Sequence, residues 1–392
     1  MAVPDEANRV RAAIGVVFFV NGACFANWLP RIDEVRDSIG VGNDGLGVAL
    51  IGGGLGGVLG SIVAGRVLRP GSILRVLGRS AAGLAIGFPL IALVPNSISL
   101  LALLTFLGFA DVLCDTSMNA EAAAIQATSE GSIMHRIHGM WSVGFVAGTL
   151  IGWGASVVEV PLTAHLVVVS AALLIVSLRS VAVLRSVPVA APSATTEPSS
   201  FRLTRSIVVI LCLALAAAAL EVIPNEWSAT ALRDWLDAGR LKGAGPVVFA
   251  ASMLIGRFRG DRIIDRIGES RLLLASLGAV AVGVGTLLVA PNAVVALVGF
   301  GLWGLGVSVM FPQIYLMAAR ANPRRPGAGL ATMTLAQRGG FMAATASMGA
   351  LSTGVGFGSA FALIFTVAAL LWLGGLLVSQ TSSRRSEEAR LA

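Results

Sequence analysis

Long apolar stretches separated by short polar turns run through almost the whole chain. An α-helix needs about 20 residues to cross a hydrocarbon layer of about 30 Å, and most of these stretches approach that length. Twelve can be drawn: residues 12–30, 45–65, a third ending near 95, 98–121, 137–158, 162–184, 206–227, 243–263, 271–291, 293–318, 327–351 and 355–379. The pattern predicts an all-α membrane protein with twelve transmembrane helices.

Residues 186–205 interrupt this pattern. They are rich in Pro, Ser, Ala and Thr and have no apolar period, which is typical of a flexible linker. The linker divides the chain into an N-terminal six-helix bundle, residues 1–185, and a C-terminal six-helix bundle with a short tail, residues 206–392.

The two bundles show traces of an internal repeat. Pro95 and Pro291 lie 196 residues apart, each followed by Asn, and Gly60 matches Gly256 at the same shift. Because six crossings return the chain to the side where it started, the two bundles must enter the membrane from the same side. This predicts parallel repeats, with any substrate bound at their interface.

Composition and charge support this interpretation. Hydrophobic residues make up 56% and charged residues 12% of the chain, far from soluble averages. The net charge of +7 comes from arginines in short loops, which indicates contact with lipid headgroups rather than nucleic acid. With both termini placed in the cytoplasm, the outer loops hold few cations, as the positive-inside rule requires. These are Arg31, Arg36, Arg233, Arg240 and Lys242.

The fourth apolar stretch carries Asp111, Asp115 and Asn119 at a spacing of four, so the three share one helical face. A carboxylate near the bilayer centre costs roughly 2.5–3.5 kcal/mol on insertion scales, so this face should meet protein or water rather than lipid. We expect proton coupling through Asp111 or Asp115. The alternative is a structural pair that only bonds a neighbouring helix.

The seventh stretch holds a second intramembrane carboxylate, Glu221, followed by the helix breaker Pro224. Glu221 is a third candidate for proton coupling, because a charge at this depth is costly unless it faces a cavity. Asn225 follows one turn later as a cavity candidate. Glu226 and Trp227 are expected to lie at the membrane interface.

Further polar and aromatic side chains are candidates for the substrate cavity, since sugars stack on rings and bond to amides. Each has an alternative role in helix packing or interfacial anchoring, and His138 is either a proton relay or a surface histidine. The candidates are Asn21, Asn27, Trp28, Trp141, His138, Trp303, Gln313, Tyr315 and Gln337.

Other chemistry has no support in the sequence. Three cysteines in apolar stretches and three histidines give no disulfide framework and no metal site, and no nucleotide-binding loop occurs. Gly144, Gly148 and Gly152 form a stripe of small residues that predicts close helix packing. We therefore expect neither an enzyme nor a cofactor.

These features resemble the major facilitator superfamily. The segment GRFRGDRIIDRIG, residues 256–268, is similar to the inner-loop signature of that family, with Asp261 or Asp265 as its acidic member. The first copy from Gly60 is degenerate, with Gly65 in the acidic position. By this resemblance Arg66, Asp261, Arg262 and Asp265 belong to gating loops.

A narrower resemblance is to uncharacterised inner-membrane proteins grouped near the fucose/proton symporters. DTSMNAEAA from Asp115, HGMWSVG from His138 and EVIPNEWS from Glu221 carry it. The fourth helix lacks the arginine of many family antiporters, and the fifth lacks the Gly-Pro pair of drug antiporters.

The resemblance implies a monomeric secondary transporter of the plasma membrane, of the bacterial inner-membrane type, with both termini cytoplasmic. We expect it to move a small polar solute, sugar-like or similar, in symport with protons by alternating access. A proton-driven exporter of a hydrophobic or cationic compound is the alternative within transport. A membrane receptor or sensor on the same scaffold is the alternative from another class.

Overall fold

The computed structural model describes residues 4–69, 71–127, 133–186, 205–321 and 326–391. Three short 3-10 turns, Leu29–Arg31, Ile91–Leu93 and Gly239–Leu241, lie among the α-helices. The helices of the described ranges are α1 Pro4–Ala26, α2 Ile32–Ser38, α3 Asn43–Val67, α4 Ile73–Leu90, α5 Ser97–Ala127, α6 Met134–Val157, α7 Leu162–Ser186, α8 Arg205–Asp234, α9 Ala244–Ile267, α10 Glu269–Leu288, α11 Ala293–Val307, α12 Met310–Ala321 and α13 Pro326–Leu391.

The number of crossings agrees with the twelve that the sequence predicts. Within the described residues, ten helical segments are long and apolar enough to span a membrane. One of them, Met333–Val378, is 46 residues long, and Gly356 inside it has the non-helical φ of 80°. The helix α9 is not among these ten segments, because its second half carries six charged residues. Dividing α13 at Gly356 and adding α9 gives twelve crossings.

The structure corrects several predicted boundaries. The last two crossings join without a loop, since Gly356 adopts the left-handed backbone that glycine tolerates best. The helix α9 continues to Ile267, and Gly268 alone joins it to α10. The residues assigned to gating loops therefore lie on helices: Arg66 in the last turn of α3, and Asp261, Arg262 and Asp265 in the last two turns of α9.

Close contact between helices depends on glycines that the sequence indicates. In α6, added Cβ atoms at Gly144, Gly148 and Gly152 would overlap backbone of α1 or of Asn27 just beyond it. The predicted small-residue stripe is thus confirmed, because α1 and α6 approach each other to backbone contact along it. In α3, Gly56 has the same role against α5.

The outside of the bundle is apolar. Large side chains such as Ile86, Val168 and Leu370 expose about two thirds of their surface. A soluble protein rarely exposes contiguous apolar surface of this kind, whereas lipid solvates it. The chain is a multi-pass membrane protein.

Helix contacts are densest within two sets, α1–α7 and α8–α13, and the sets meet chiefly through α3 with α13 and α6 with α9. The division into bundles at residues 185 and 206 stays a prediction, because most of the linker, residues 187–204, lies outside the described residues. We call the end of the bundle that carries α2 the outer end, following the charge bias, and the opposite end the inner end.

Candidate functional site

A cavity of about 380 Å³ lies between the two sets of helices. Its wall comes from α1, α3, α4, α5 and α6 on one side and from α8, α9, α12 and α13 on the other. Pockets for small molecules have about 300–1,000 Å³, so the cavity suits a small solute. All three carboxylates predicted to face a cavity are on its wall: Asp111, Asp115 and Glu221.

Asp111 ends a chain of hydrogen bonds that crosses three helices. The Trp141 indole of α6 donates to Oδ1 of Asn21 at 2.8 Å, and Nδ2 of Asn21 in α1 donates to Oδ1 of Asp111 at 3.1 Å. The indole is only a donor, so it determines which end of the Asn21 amide faces the carboxylate. Trp141 and Asn21, both predicted cavity groups, line the wall with Asp111.

Asp115 lies one turn further along α5. Nδ2 of Asn119 donates to Oδ1 of Asp115 at 3.1 Å and to its backbone carbonyl at 2.9 Å. Asn119 thus supports the carboxylate from its own helix and lies outside the cavity wall. The shared helical face that the spacing of four predicts is present.

Two arginines on the wall were missed in the sequence, Arg338 of α13 and Arg257 of α9. Arg338 interacts electrostatically with both Asp111 and Asp115. It has room because Gly57 of α3 lacks a side chain: an added Cβ would lie 3.0 Å from Nη1 of Arg338. Both arginines fall within predicted spans. The rule that intramembrane charge marks function would have found them if it had been applied to cations as well.

Arg257 lies on the cavity wall with Glu221, without a direct ion pair between them among the described contacts. It interacts electrostatically with Glu221 and donates from Nη1 to the Ser142 hydroxyl of α6 at 3.2 Å. Its Nε atom and Oε2 of Glu221 are buried without a hydrogen-bond partner. Each set of helices therefore contributes carboxylates, while both guanidinium groups come from α8–α13.

The helix α8 continues through Pro224 to Asp234, so the expected break is absent, but one backbone hydrogen bond of the helix is lost. A proline cannot donate to the carbonyl four residues before it, here that of Leu220. The Trp303 indole donates to this carbonyl at 2.8 Å. Trp303 is buried against Phe300 and Phe361 and lies outside the cavity wall. Its indole N–H therefore replaces the missing backbone donor of α8 and does not contact solute.

The interfacial position expected for Glu226 and Trp227 is wrong. Trp227 is fully buried, and Glu226 lines the cavity and accepts a hydrogen bond from the Thr345 hydroxyl of α13. Asn225 lines the cavity as predicted and donates to the Glu221 carbonyl at 2.9 Å. The error came from ending the seventh helix at residue 227, since α8 continues to Asp234 and thereby places Glu226 within the bundle.

Tyr315 of α12 and Gln337 of α13 also line the cavity as predicted, with a long contact of 3.5 Å between the Tyr315 hydroxyl and Oε1 of Gln337. Three other candidates are buried away from the wall: Asn27, Trp28 and Gln313. The Asn27 amide donates to the Cys24 carbonyl at 2.6 Å, which ends α1. His138 is exposed beside Phe18, with 5.2 Å between ring centroids, and also lies off the wall.

Metal ligation has no basis in the described part of the chain, where no group of three or more His, Cys, Asp and Glu side chains could hold an ion.

The outer end is closed by ion pairs between the two sets of helices. The Asp33 carboxylate of α2 is fully buried, 3.1 Å from Nη1 of Arg233 and 2.8 Å from Nζ of Lys242. Arg36 pairs with Asp234 at the end of α8. We call these contacts the outer ion-pair network: Asp33, Glu34, Arg36, Asp37, Arg233, Asp234 and Lys242. The sequence gave no sign of it beyond mixed charges in two outer loops.

Asp33→Asn should favour a state that is open at the outer end. Removing one partner of a buried pair leaves the others uncompensated, so the closed state loses more than about 1.4 kcal/mol and the open population rises at least about tenfold. Spin labels at the exposed Ser38 of α2 and at Ala238 in double electron–electron resonance would report this as a longer distance. Glu159→Gln, on the same outer surface, is the matched control, and an unchanged distance distribution in Asp33→Asn would refute the closing role.

Comparison with known proteins was made at the level of sequence and of structure. An uncharacterized MFS-type transporter of Yersinia pestis is 27% identical over 372 residues, covering 90% of this chain and 93% of the relative. The membrane protein MosC of Rhizobium meliloti is 27% identical over 390 residues, covering 96% and 91%. No protein-family model matches the chain.

Solved structures share the fold at low sequence identity. The nucleoside transporter NupG superposes with a TM-score of 0.74 at 13% identity, over 94% of this chain and 98% of that one. A D-xylose-proton symporter superposes with a TM-score of 0.75 at 13% identity, over 96% and 97%. The resemblance to the major facilitator superfamily is confirmed, as is the all-α membrane fold class, and a count of twelve helices is consistent with both. The Yersinia pestis relative is named a transporter of this type, and such transporters are not enzymes.

Proposed function

We propose that the chain is a secondary active transporter that moves a small polar solute by alternating access, coupled to protons. One observation carries the proposal: Asp111 and Asp115 face a cavity between the two sets of helices, with Arg338 opposite them. Intramembrane carboxylates at such a position mark ion and substrate pathways. If these carboxylates faced lipid or protein away from any cavity, only the fold would support a transporter, and no residue would support proton coupling.

The arrangement supports a rocking mechanism. The outer ion-pair network closes the outer end, while the solute cavity lies between the sets that would move. In folds of this type one bundle rocks against the other around a central site. The described state is thus closed to the outside, and transport requires that the network separate in the other half of the cycle.

Proton coupling would act through the charge pairs of the wall. When Asp115 or Asp111 takes up a proton, its attraction to Arg338 is lost, because Coulomb attraction requires both charges. Arg338 belongs to α13 and the aspartates to α5, so protonation changes the force between the two sets. Glu221 and Arg257 also attract each other, but both belong to the set α8–α13, so this attraction acts within one set.

A polar solute is favoured by the amides and rings of the wall. Asn21, Asn225 and Gln337 offer amides, and Trp141 and Tyr315 offer rings on which a sugar-like molecule can stack. The two superposed structures are a nucleoside transporter and a D-xylose-proton symporter, which supports the same class of solute.

Export of a hydrophobic or cationic compound is a second candidate. It is favoured by one observation, the five phenylalanines on the cavity wall: Phe25, Phe88, Phe145, Phe311 and Phe341. Export and uptake differ in the direction of solute movement relative to the proton gradient.

The remaining assignments are part of the proposal. The chain would work as a monomer in the bacterial plasma membrane, with its termini and the linker of residues 186–205 in the cytoplasm. Protons and one small solute would be its partners, and no nucleic acid would take part. The bundles of residues 1–185 and 206–392 would be the moving bodies.

Purified protein in liposomes with an imposed pH gradient tests the proposal. Labelled sugars, sugar acids, amino acids and cationic drugs would be offered, with an internal dye to record pH. We expect one class to accumulate with proton movement in the same direction, and opposite movement would indicate the exporter. Protein-free liposomes and an ionophore that collapses the gradient are the controls. A solute that only equilibrates, whatever the pH gradient, would contradict proton coupling.

A further inference from the structure

The cavity wall carries more negative than positive side chains. Among the described residues it has four carboxylates, Asp111, Asp115, Glu221 and Glu226, and two guanidinium groups, Arg257 and Arg338. The outer ion-pair network with its neighbour Arg31 has four acidic and four basic side chains. The cavity thus has an excess of negative side chains, whereas the outer ion-pair network has equal numbers of both signs. The excess indicates that a bound molecule supplies positive charge to the cavity.

The excess amounts to two negative charges, one shared by Asp111 and Asp115, which face a single guanidinium group, and one at Glu226. Arg338 faces Asp111 and Asp115, and Arg257 faces Glu221. Within the described part of the chain, Glu226 has no ion pair, and the Thr345 hydroxyl is its hydrogen-bond partner. An ionised carboxylate with one neutral donor keeps unused acceptor positions, which face the cavity.

Neighbouring groups on α8 also accept rather than donate. Glu221 and Asn225 line the cavity, and Oε2 of Glu221 and Oδ1 of Asn225 are buried with no hydrogen-bond partner among the described residues. Buried polar atoms normally find a partner, so these two orphaned acceptors require donors from a bound molecule or from water. Hydroxyl and ammonium groups are the donors that a small solute offers.

Apolar rings lie next to these acceptors. Phe341 is one turn before Thr345 on α13, and its ring lies 6.4 Å from that of Phe311. Aromatic faces attract cations and also stack against the apolar face of a hydroxylated ring. Of the two arginines, Arg338 faces the aspartates and Arg257 faces Glu221, and neither is paired with Glu226 among the described residues.

We infer that the solute is a hydroxylated ring bearing a protonated amine, and that Glu226 binds the ammonium group at the end of the cavity nearer the outer ion-pair network. Glu226 lies eight residues before Asp234 of that network, about 12 Å along α8. Thr345 orients the carboxylate, and the acceptors of Glu221 and Asn225 bind hydroxyl or ammonium hydrogens. This inference rests on the proposed function and specifies its substrate class.

Binding to the purified full-length protein tests the inference separately from transport. Glucosamine and galactosamine are the amine probes, with glucose, galactose and N-acetylglucosamine as neutral counterparts. The quenching of tryptophan fluorescence, to which Trp141 on the wall contributes, and the shift of the thermal midpoint report binding. We expect at least one amine to bind about tenfold tighter than its neutral counterpart, since an ammonium adds a charge-assisted contact.

Glu226→Gln should lower the affinity for that amine about 30-fold and change the affinity for the neutral counterpart by less than about twofold. Glu226→Asp keeps the charge and should restore part of the preference, while Glu159→Gln on the outer surface should have no effect. An unchanged thermal midpoint without ligand shows that Glu226→Gln is folded.

Three results would overturn the inference: no amine binds, amines and neutral counterparts bind equally, or Glu226→Gln keeps the amine preference. The last would mean that Glu226 binds a proton instead of the solute. Failure of the proposed function has a different signature, because it appears as absence of pH-driven flux in liposomes for every solute. A neutral solute accumulated with protons would refute the inference alone.

Discussion

Asp115→Asn should abolish solute accumulation driven by a pH gradient while exchange of labelled for unlabelled solute continues. Asparagine has nearly the shape of aspartate but cannot take up and release a proton. Solute movement in this variant is therefore no longer coupled to proton movement. Of the two aspartates, Asp115 has the weaker structural role, because its carboxylate is not hydrogen-bonded to another helix among the described residues. Asp111 belongs to the hydrogen-bond chain through Asn21 to Trp141, whereas among the described residues the Asp115 carboxylate accepts only from Asn119 of its own helix.

One proton per solute and a gradient of one pH unit would sustain about tenfold accumulation in the wild type. We expect that ratio to fall to about one in Asp115→Asn, measured as internal over external label at steady state in liposomes. Asp44→Asn makes the same change at an exposed position at the start of α3 and should accumulate normally. An Asp115→Asn protein that still accumulates solute would show that Asp115 is not the coupling residue, and Asp111→Asn would then be tested in the same way.

Gly56→Ala should destabilise the protein strongly. An added Cβ would overlap the Thr105 carbonyl oxygen of α5 and lie 2.6 Å from the backbone nitrogen of Phe109. Backbone of a packed helix cannot move aside like the end of a flexible side chain, so α3 and α5 must separate. Overpacking of this kind costs about 3 kcal/mol, and we expect the thermal midpoint to fall by an amount on the order of 5 °C.

Gly65→Ala is the matched control on the same helix, because no heavy atom lies within 4 Å of its added Cβ. Alanine favours helix over glycine by up to about 1 kcal/mol, so this variant should be equally or slightly more stable. The comparison is read from unfolding midpoints in detergent by intrinsic fluorescence. Equal midpoints for the two variants would contradict backbone contact between α3 and α5.

The cavity residues show how far local spacing predicts a site. A spacing of four placed Asp111 and Asp115 on one face, and Pro224 indicated a free carbonyl in α8, because both depend only on helix geometry. Trp303 and Asn27 were misassigned, since nothing local tells whether a polar group inside a span meets solute or another helix. Arg338 was missed because its partners are more than two hundred residues away in the chain.

The sequence by itself determined the fold class and the shared helical face of Asp111 and Asp115, because a lipid solvent imposes fixed lengths and a high cost for charge on every segment separately. Only the tertiary structure decided which charges oppose each other, that Glu226 faces the cavity, and that α2 closes the outer end against α8. These relations join segments far apart in the chain, and their energies depend on distances of a few ångströms that helical periodicity does not specify.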